Sequence, residues 1–379
     1  MKLIDVCELI VDCPHSTAKD EGQGIPLVRT PNIGKGRLEL SGVHRVSEVV
    51  YNQRIERAVP QAGDLILARE APVGNVALIM SGQKVCLGQR VVLIRPDKEK
   101  ADPAYLTYYL LSEEVQHRLK NNANGAVVAH LNMNEIRNLV IELPEISIQK
   151  RIAAVLSSLD DKIALNNRIN HNLEEQAQAL YKSWFVDFEP FKGGKFVDSE
   201  LGMIPEGWYV GTLSELLEVR YGKDHKALKD GNTPVFGSGG LMRYAERALY
   251  NGESVLIPRK GTLNNVMYFN GPFWTVDTMF YTVEQSSNVI KYCHLFLLTQ
   301  DLASMNAGSA VPSMTTDILN NLPLLIPSSQ VLEAFNRVIS SIYEARSQRE
   351  EESNSLSQSR DTILPQLMSG ALTNTLLTC

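Results

Sequence analysis

The chain has 379 residues, of which 44% are hydrophobic and 21% are charged, a composition typical of a globular protein with two or three domains. Its net charge of −6 argues against a protein that coats nucleic acid indiscriminately, because such proteins are usually basic. The five cysteines are scattered without a CxxC pair, and no apolar run reaches the ~18 residues of a membrane helix. We therefore expect a cytoplasmic protein with no structural metal, no disulfide framework and no membrane span.

Residues 1–144 predict a first globular region of mixed α+β structure. Two β-rich runs, LILA (Leu65–Ala68) and RVVLIRP (residues 90–96), lie near turn signals such as AGD and PVGN. A helical segment follows at residues 103–119 and begins with proline, which is favoured in the first turn of a helix.

Residues 145–188 predict one long helix. They contain no glycine or proline, and mainly apolar residues recur at alternating steps of 4 and 3, which is the seam of a coiled coil. At 1.5 Å per residue the helix would be roughly 60 Å long. The predicted seam consists of Ile152, Leu156, Leu159, Ile163, Asn166, Asn170, Leu173, Ala177, Leu180 and Trp184.

The remaining chain repeats this plan. Residues 189–208 carry glycine and proline and predict a linker, and residues 209–326 predict a second globular α+β region. Residues 327–370 predict a second long helix, which we expect Pro365 to end. Its predicted seam consists of Phe335, Ile339, Ile342, Arg346, Arg349, Ser353, Leu356, Arg360, Ile363 and Leu367.

A repeated phrase joins each globular region to its helix. NEIRNLVIELP (residues 134–144) matches DILNNLPLLIP (residues 317–327) at an offset of 183 residues, and VLSSL and VISSI continue the match without a gap. The period is far longer than the roughly 20–50 residues of a solenoid repeat. The chain is therefore predicted to be a two-copy duplication with an internal pseudo-twofold repeat.

No familiar catalytic signature is present in the sequence. It lacks a P-loop, a GxSxG elbow, a Glu-x-Lys nuclease motif and the Asn/Asp-Pro-Pro-aromatic tetrapeptide of amino-group methylation. FGSGG (residues 236–240) is not GxGxxG and is interpreted as a turn. These absences favour a binding module over an enzyme.

Several segments together resemble the specificity subunit of type I restriction-modification systems, over nearly the whole chain. WFVDFEPF (residues 184–191) is similar to the family's exit from its first conserved helix, and LGMIPEGW (residues 201–208) to the entrance of its second target-recognition domain. LPQLMSGAL (residues 364–372) resembles its C-terminal close, and the two repeated phrases resemble the segments that enter the helices. The N-terminus departs from this pattern because it lacks a PEGW-like entry.

The resemblance implies both a fold and a role. Residues 1–144 and 209–326 would be two target-recognition domains, and the helices at 145–188 and 327–370 would pair as an antiparallel coiled coil. The chain would have no catalytic activity and no cofactor of its own. It would read a bipartite, asymmetric double-stranded DNA site, one half per globular region, while the helices set the half-site spacing. It would hold two methyltransferase subunits, which bind S-adenosylmethionine and methylate adenine N6, and join motor-nuclease restriction subunits that use ATP and Mg.

Candidate DNA contacts are residues of the types that read base edges in the major groove: arginine and lysine for guanine, asparagine and glutamine for adenine. They fall in glycine-containing loops. In the first globular region they are Arg29, Asn32, Lys35, Arg37, Arg69, Gln89 and Arg90. In the second they are Lys223, His225, Lys226, Arg243, Arg259, Lys260, Asn264 and Asn265. Arg69 and Arg259 follow corresponding strand-like runs.

Two alternatives remain at the level of sequence. A coiled-coil scaffold that binds only protein would explain the heptads, although not two diverged globular regions with basic loops. An enzyme with an unrecognised active site would be established by methylation or cleavage by the isolated chain.

Overall fold

The first globular region contains eight short strands and four helices before the first long helix. The computed structural model describes residues 1–121, 130–306 and 312–370. The strands are β1 Cys7–Asp12, β2 Ile25–Val28, β3 Gly36–Arg37, β4 Arg45–Val46, β5 Leu65–Ala68, β6 Val76–Leu78, β7 Cys86–Leu87 and β8 Val91–Pro96. The helices are α1 Glu48–Arg54, α2 Pro103–Leu111, α3 Glu113–Asn121, α4 Met133–Arg137 and the long α5 Ile146–Phe185.

Buried strands form the centre of this region. The five-stranded sheet has the order β1-β8-β5-β6-β3, and every residue of β5 is buried, as expected for a central strand covered on both faces. A second sheet has the order β4-β2-β7. Helix α2 begins where Asp102 caps it by accepting a hydrogen bond from the Tyr105 amide, with Pro103 in the first turn, and its apolar face packs into the core.

The second globular region is larger in its sheet and contains three short helices. Its strands are β9 Phe196–Ser199, β10 Gly202–Pro205, β11 Tyr209–Thr212, β12 Leu217–Tyr221, β13 Thr233–Gly237, β14 Gly240–Ala245, β15 Tyr250–Pro258, β16 Met267–Thr275, β17 Met279–Glu284 and β18 Pro323–Ile326. Its helices are α6 Leu213–Leu216, α7 Ile290–Leu298 and α8 Thr316–Asn320, and the long helix α9 Ser329–Met368 follows. The main sheet has the order β12-β17-β15-β16-β13-β14.

The two main sheets share one topology. In the first, β1-β8-β5-β6 are antiparallel neighbours and β3 joins β6 in parallel. In the second, β12-β17-β15-β16 are antiparallel neighbours and β13 joins β16 in parallel. The predicted α+β duplication is therefore confirmed, and it extends to globular parts whose sequences match only weakly.

The chain divides into two compact units, and each contains one globular region with part of both long helices. Residues 1–165 form the first unit with the chain from Glu352 onward, and residues 166–351 form the second. In the first unit, Ile152 and Leu156 near the start of α5 share a core with Leu367 near the end of α9. In the second unit, Tyr181 and Phe185 at the end of α5 share a core with residues near the start of α9. Within each unit the helix segments therefore pair antiparallel, as predicted.

Three details differ from the sequence-based predictions. The helix does not end at Pro365, because α9 continues to Met368 and the Ser369 amide still donates to the Pro365 carbonyl. The predicted linker at 189–208 holds an ordered hairpin, β9–β10, and the helical segment at 103–119 breaks at Ser112 into α2 and α3. In LPQLMSGAL, Ala371 and Leu372 lie outside the described residues. Among the described helices, none is both long and apolar enough to cross a membrane.

Candidate nucleic-acid interface

Five of the predicted DNA-contacting cations are exposed. Lys35 lies beside β3, Lys223 and Lys226 lie in the loop after β12, Lys260 follows β15, and Arg90 precedes β8. All five occupy loops at the ends of strands, where side chains reach solvent while the sheet holds their backbone. These positions suit contacts with phosphates and base edges.

Other predicted contacts are engaged inside the first globular region. The Arg69 side chain is only 7% exposed and donates from Nε to the Leu131 carbonyl at 2.8 Å and from Nη1 to Asp12 at 2.6 Å. Asn32 is buried, with its Oδ1 accepting from the Arg29 amide at 3.1 Å and its Nδ2 donating to the Glu39 carbonyl. These two side chains shape loops, and we expect their influence on DNA to be indirect.

The remaining candidates of this region are half-buried. Arg29 packs beside Gly88, where a Cβ would clash with its Cγ, so this close approach requires glycine. Arg37 forms an ion pair with Asp161 on α5. Gln89 donates to the Thr17 hydroxyl at 2.5 Å, which orders the loop that also carries Arg90.

In the second globular region, several candidates brace the loops that carry the exposed lysines. Arg243 on β14 donates to the carbonyls of His225 at 3.2 Å and Leu228 at 2.6 Å, and Asn265 donates to the Ser238 carbonyl. His225 itself is half-buried. These contacts hold the loop with Lys223 and Lys226 against the sheet.

Arg259 and Asn264 are also engaged near the exposed Lys260. The Arg259 guanidinium lies 5.5 Å from the Tyr221 ring centroid and donates to the Asp277 carbonyl at 3.0 Å. Asn264 donates to Asp301 and accepts from the Ala303 amide. The backbone around Lys260 is thus ordered from two sides.

The predicted seam residues of both long helices are all buried or half-buried. The fully buried ones lie toward the ends of each helix, and the polar ones lie in the middle. Asn166 is 1% exposed, and Asn170 donates from Nδ2 to the Arg346 carbonyl at 3.3 Å. Arg346 in turn approaches Glu174 at 3.7 Å. The polar middles therefore contact each other within the second unit.

Sequence reasoning missed the polar groups that join each globular region to a long helix. In the first unit, buried Asp160 on α5 accepts from the Tyr108 hydroxyl of α2 at 2.6 Å and from Arg360 of α9 at 2.8 Å. Burial and then the bond to Asp160 raise the pKa of Tyr108 above its usual range.

The second unit has a different group at the matching place. Tyr343 on α9 stands 183 residues after Asp160, and its hydroxyl lies 2.6 Å from Nδ1 of the buried His294 of α7. Burial, followed by the charge of Arg346, lowers the pKa of His294 to about 3. The offset of 183 was the signal that could have indicated this pair, since it aligns Asp160 with a tyrosine.

The residues described contain no cluster of histidine, cysteine, aspartate and glutamate suited to a metal ion. Nor do they group a nucleophile with a base and an orienting acid. The chemistry that the arrangement supports is recognition, through exposed cations on ordered loops.

Comparison with known proteins gives consistent matches. The family model of the type I restriction modification DNA specificity domain matches residues 1–175 and 205–351. The chain is 26% identical to the type I restriction enzyme MjaIX specificity subunit of Methanocaldococcus jannaschii, over 87% of this chain and 82% of that protein. It is 21% identical to the HindI specificity subunit of Haemophilus influenzae, over 82% and 86% respectively.

A solved structure matches the fold as well. The type I restriction-modification S subunit from M. genitalium superimposes with a TM-score of 0.60 at 16% identity, covering 97% of this chain and 95% of that one. This likeness concerns the fold alone.

Proposed function

Because the chain belongs to the type I restriction modification DNA specificity domain family, we propose that each globular region reads one half of a bipartite, asymmetric DNA site. The chain is a non-catalytic specificity subunit of a restriction-modification system. The observation that carries the two-reader proposal is that one sheet topology occurs twice, with different side chains on its loops. Two readers with different side chains recognise different half-sites.

The direct contacts in this proposal come from the exposed cations. Lys35 and Arg90 serve the first half-site, and Lys223, Lys226 and Lys260 serve the second. The net charge of −6 is compatible with this, because only local loops need to be basic when partner subunits add their own contacts. The engaged side chains, such as Arg69 and Arg243, hold the loops in place.

The long helices have two roles in the proposal. They set the distance between half-sites, as a fixed dimer geometry does in other DNA-binding proteins. They also dock two methyltransferase subunits, which bind S-adenosylmethionine and methylate adenine N6. Restriction subunits using ATP and Mg complete the assembly in the cytoplasm. A coiled-coil scaffold without DNA readout is not favoured by the family match.

Replacement of residues 1–144 by the corresponding region of another family member tests this function. The hybrid, expressed with the cognate methyltransferase, should methylate a site in which one half is new and the other half is unchanged, as read by genome-wide mapping of N6-methyladenine. The matched control replaces residues 209–326 and should change the opposite half. A hybrid that changes both halves together would contradict the two-reader proposal.

A further inference from the structure

A network of charged side chains surrounds the end of β5 in the first globular region. We call it the Arg69 corner and define it as Arg69, Glu70, Arg90 and His130. The buried Arg69 guanidinium donates from Nη2 to His130 Nε2 at 2.6 Å, in addition to its bonds with Leu131 and Asp12. Because arginine only donates, His130 Nε2 accepts, and its Nδ1–H donates to Glu70 Oε1 at 2.7 Å.

Glu70 links this buried network to an exposed arginine. Its second oxygen, Oε2, lies 3.0 Å from Nε of Arg90, whose side chain is 57% exposed while that of Glu70 is only 17% exposed. His130 and Arg69 fix the carboxylate from behind. Glu70 is therefore a rigid anchor for a long side chain that would otherwise sample many rotamers.

The backbone of Arg90 is also unusual. Its φ is +64°, a conformation that L-residues other than asparagine and aspartate rarely adopt. Its carbonyl accepts from the Arg69 amide at 2.9 Å, and the neighbouring Gln89 is held by Thr17. Such backbone strain in an ordered loop concentrates at functional sites.

The second globular region has the same backbone frame with different side chains. The Arg259 amide donates to the Thr278 carbonyl at 2.8 Å, as the Arg69 amide donates to the Arg90 carbonyl. The Met314 amide donates to the Arg259 carbonyl, as the Leu131 amide donates to that of Arg69, and Leu131 and Met314 are 183 residues apart.

This frame defines corresponding positions in the two regions. Lys260 stands where the first region has Glu70, Thr278 stands for Arg90, and Ser313 stands for His130. Lys260 is exposed, so each corner presents a cation, but from a different strand end. A shared scaffold that carries opposite charges at one position is suited to reading different bases.

We infer that Glu70 is a positioning residue that holds Arg90 for contact with one guanine of the first half-site. The inference rests on the proposed function and names a specificity determinant within it. Arginine recognises guanine through O6 and N7 in a fixed planar geometry, so its discrimination depends on the orientation of the guanidinium. Glu70 supplies that orientation, and without it Arg90 still attracts phosphate but selects among bases less well.

The experiment uses the complex of the full chain with its cognate methyltransferase and duplex DNA carrying the methylated site. Binding is measured for the cognate duplex and for duplexes with one base pair changed in either half. The ratio of the two Kd values does not depend on the fraction of protein folded, so it separates readout from stability. The variants are Glu70→Ala, Arg90→Ala, both together, and Glu48→Ala as the control.

Glu48 is matched because it forms a comparable ion pair, with Lys84 at 2.7 Å, in the same region. We expect Glu70→Ala and Arg90→Ala each to reduce discrimination at one base pair of the first half-site on the order of tenfold, with the second half-site unaffected. Glu48→Ala should leave all ratios unchanged. The double variant should be no worse than Arg90→Ala alone, because Glu70 acts through Arg90.

Two outcomes overturn the inference. Unchanged ratios in Glu70→Ala would exclude a positioning role, and an equal loss with and without Arg90 would assign Glu70 a general structural role. Failure of the proposed function looks different: Arg90→Ala and replacement of residues 1–144 would then both leave the first half-site unchanged.

Discussion

Asp160 illustrates how one buried residue joins a globular region to its helix. Its carboxylate is the common acceptor for Tyr108 and Arg360, which lie on different helices. Substitution by alanine leaves a buried hydroxyl and a largely buried guanidinium without their acceptor. We expect Asp160→Ala to lower the free energy of unfolding by about 3 kcal/mol, the cost of breaking a buried ion pair from one side. Chemical denaturation measures this change.

The neighbouring residue provides the control. Asp161 also pairs with an arginine, Arg37, but its side chain is 63% exposed, so the solvent screens the interaction. Asp161→Ala should change the free energy of unfolding by less than about 1 kcal/mol. Equal losses from both substitutions would show that the buried network does not determine the stability of this joint.

His294 predicts a pH dependence of stability. Its pKa is lowered to about 3 in the fold, from an ordinary value of 6.5, so the native state stays neutral where the unfolded state binds a proton. Stability from this group is complete above about pH 6.5 and is lost as pH falls toward 3, by roughly 1.4 kcal/mol per pH unit.

Denaturation of wild type and His294→Gln at pH 7 and pH 5 measures this contribution. The loss of stability on acidification should be smaller in the variant than in the wild type. His171→Gln, which changes a histidine whose side chain is 74% exposed, should behave as wild type. An identical pH dependence in wild type and His294→Gln would contradict the assignment.

At the scale of residues, the sequence predicts the type of contact better than its availability. Arginine and asparagine were selected because they read bases, but Arg69 is engaged by Asp12 and Leu131, and Arg243 by Leu228 and His225. These partners lie elsewhere in the sequence, so only folding brings them together. Exposed lysines such as Lys35 have no such competition and remain predictions.

At the scale of elements, long helices are predictable because their signal is repeated over many residues. The predicted helices at 145–188 and 327–370 correspond to α5 at Ile146–Phe185 and α9 at Ser329–Met368. The β9–β10 hairpin was missed because its four-residue strands are too short for a period of two to stand out. Pro365 misled for a local reason: it lies in the last turn, where little helix remains to be broken.

The polar centre of the seam predicts how the long helices keep their alignment. Sliding by a heptad would place Arg346 against leucine and bury its charge without a partner, which is costly. Polar seam residues commonly specify register at some cost in stability. We expect Asn166→Leu with Asn170→Leu to leave the protein folded but to permit shifted register or self-association.

Disulfide crosslinking and light scattering measure register and association. Cysteines at Ile152 and Leu367, which share a core cluster, should crosslink efficiently in the parent, with Cys7 and Cys379 replaced by serine. The yield should fall, or the mass should rise, when both asparagines are leucine. Cysteines at Ile152 and Phe335 serve as the negative control. An unchanged yield and mass in the leucine variant would show that the asparagines do not set register.

At the scale of the whole molecule, duplication produces two readers from one scaffold. The sheet order is the same in both globular regions, while Glu70 and Lys260 show how far the loops have diverged. The sequence indicated the duplication through the joints and helices, because those segments retain the same packing partners. It could not indicate the target bases, since these depend on loop geometry that no periodic pattern encodes.

The last prediction concerns the proposed spacing role of the helices. The boundaries between the compact units fall after Leu165 in α5 and after Glu351 in α9. One heptad inserted at each boundary adds about 10 Å of helix and preserves the phase of both seams. At about 3.4 Å per base pair, the unspecified gap in the methylated site should lengthen by about three base pairs, with both half-sites unchanged. Mapping of N6-methyladenine in a host carrying the variant and its methyltransferase measures the gap. A heptad inserted in α5 alone is the control, and it should reduce activity because α9 then has no matching turns to pair with. If the double insertion remains active and the gap keeps its original length, the helices do not set the distance between half-sites.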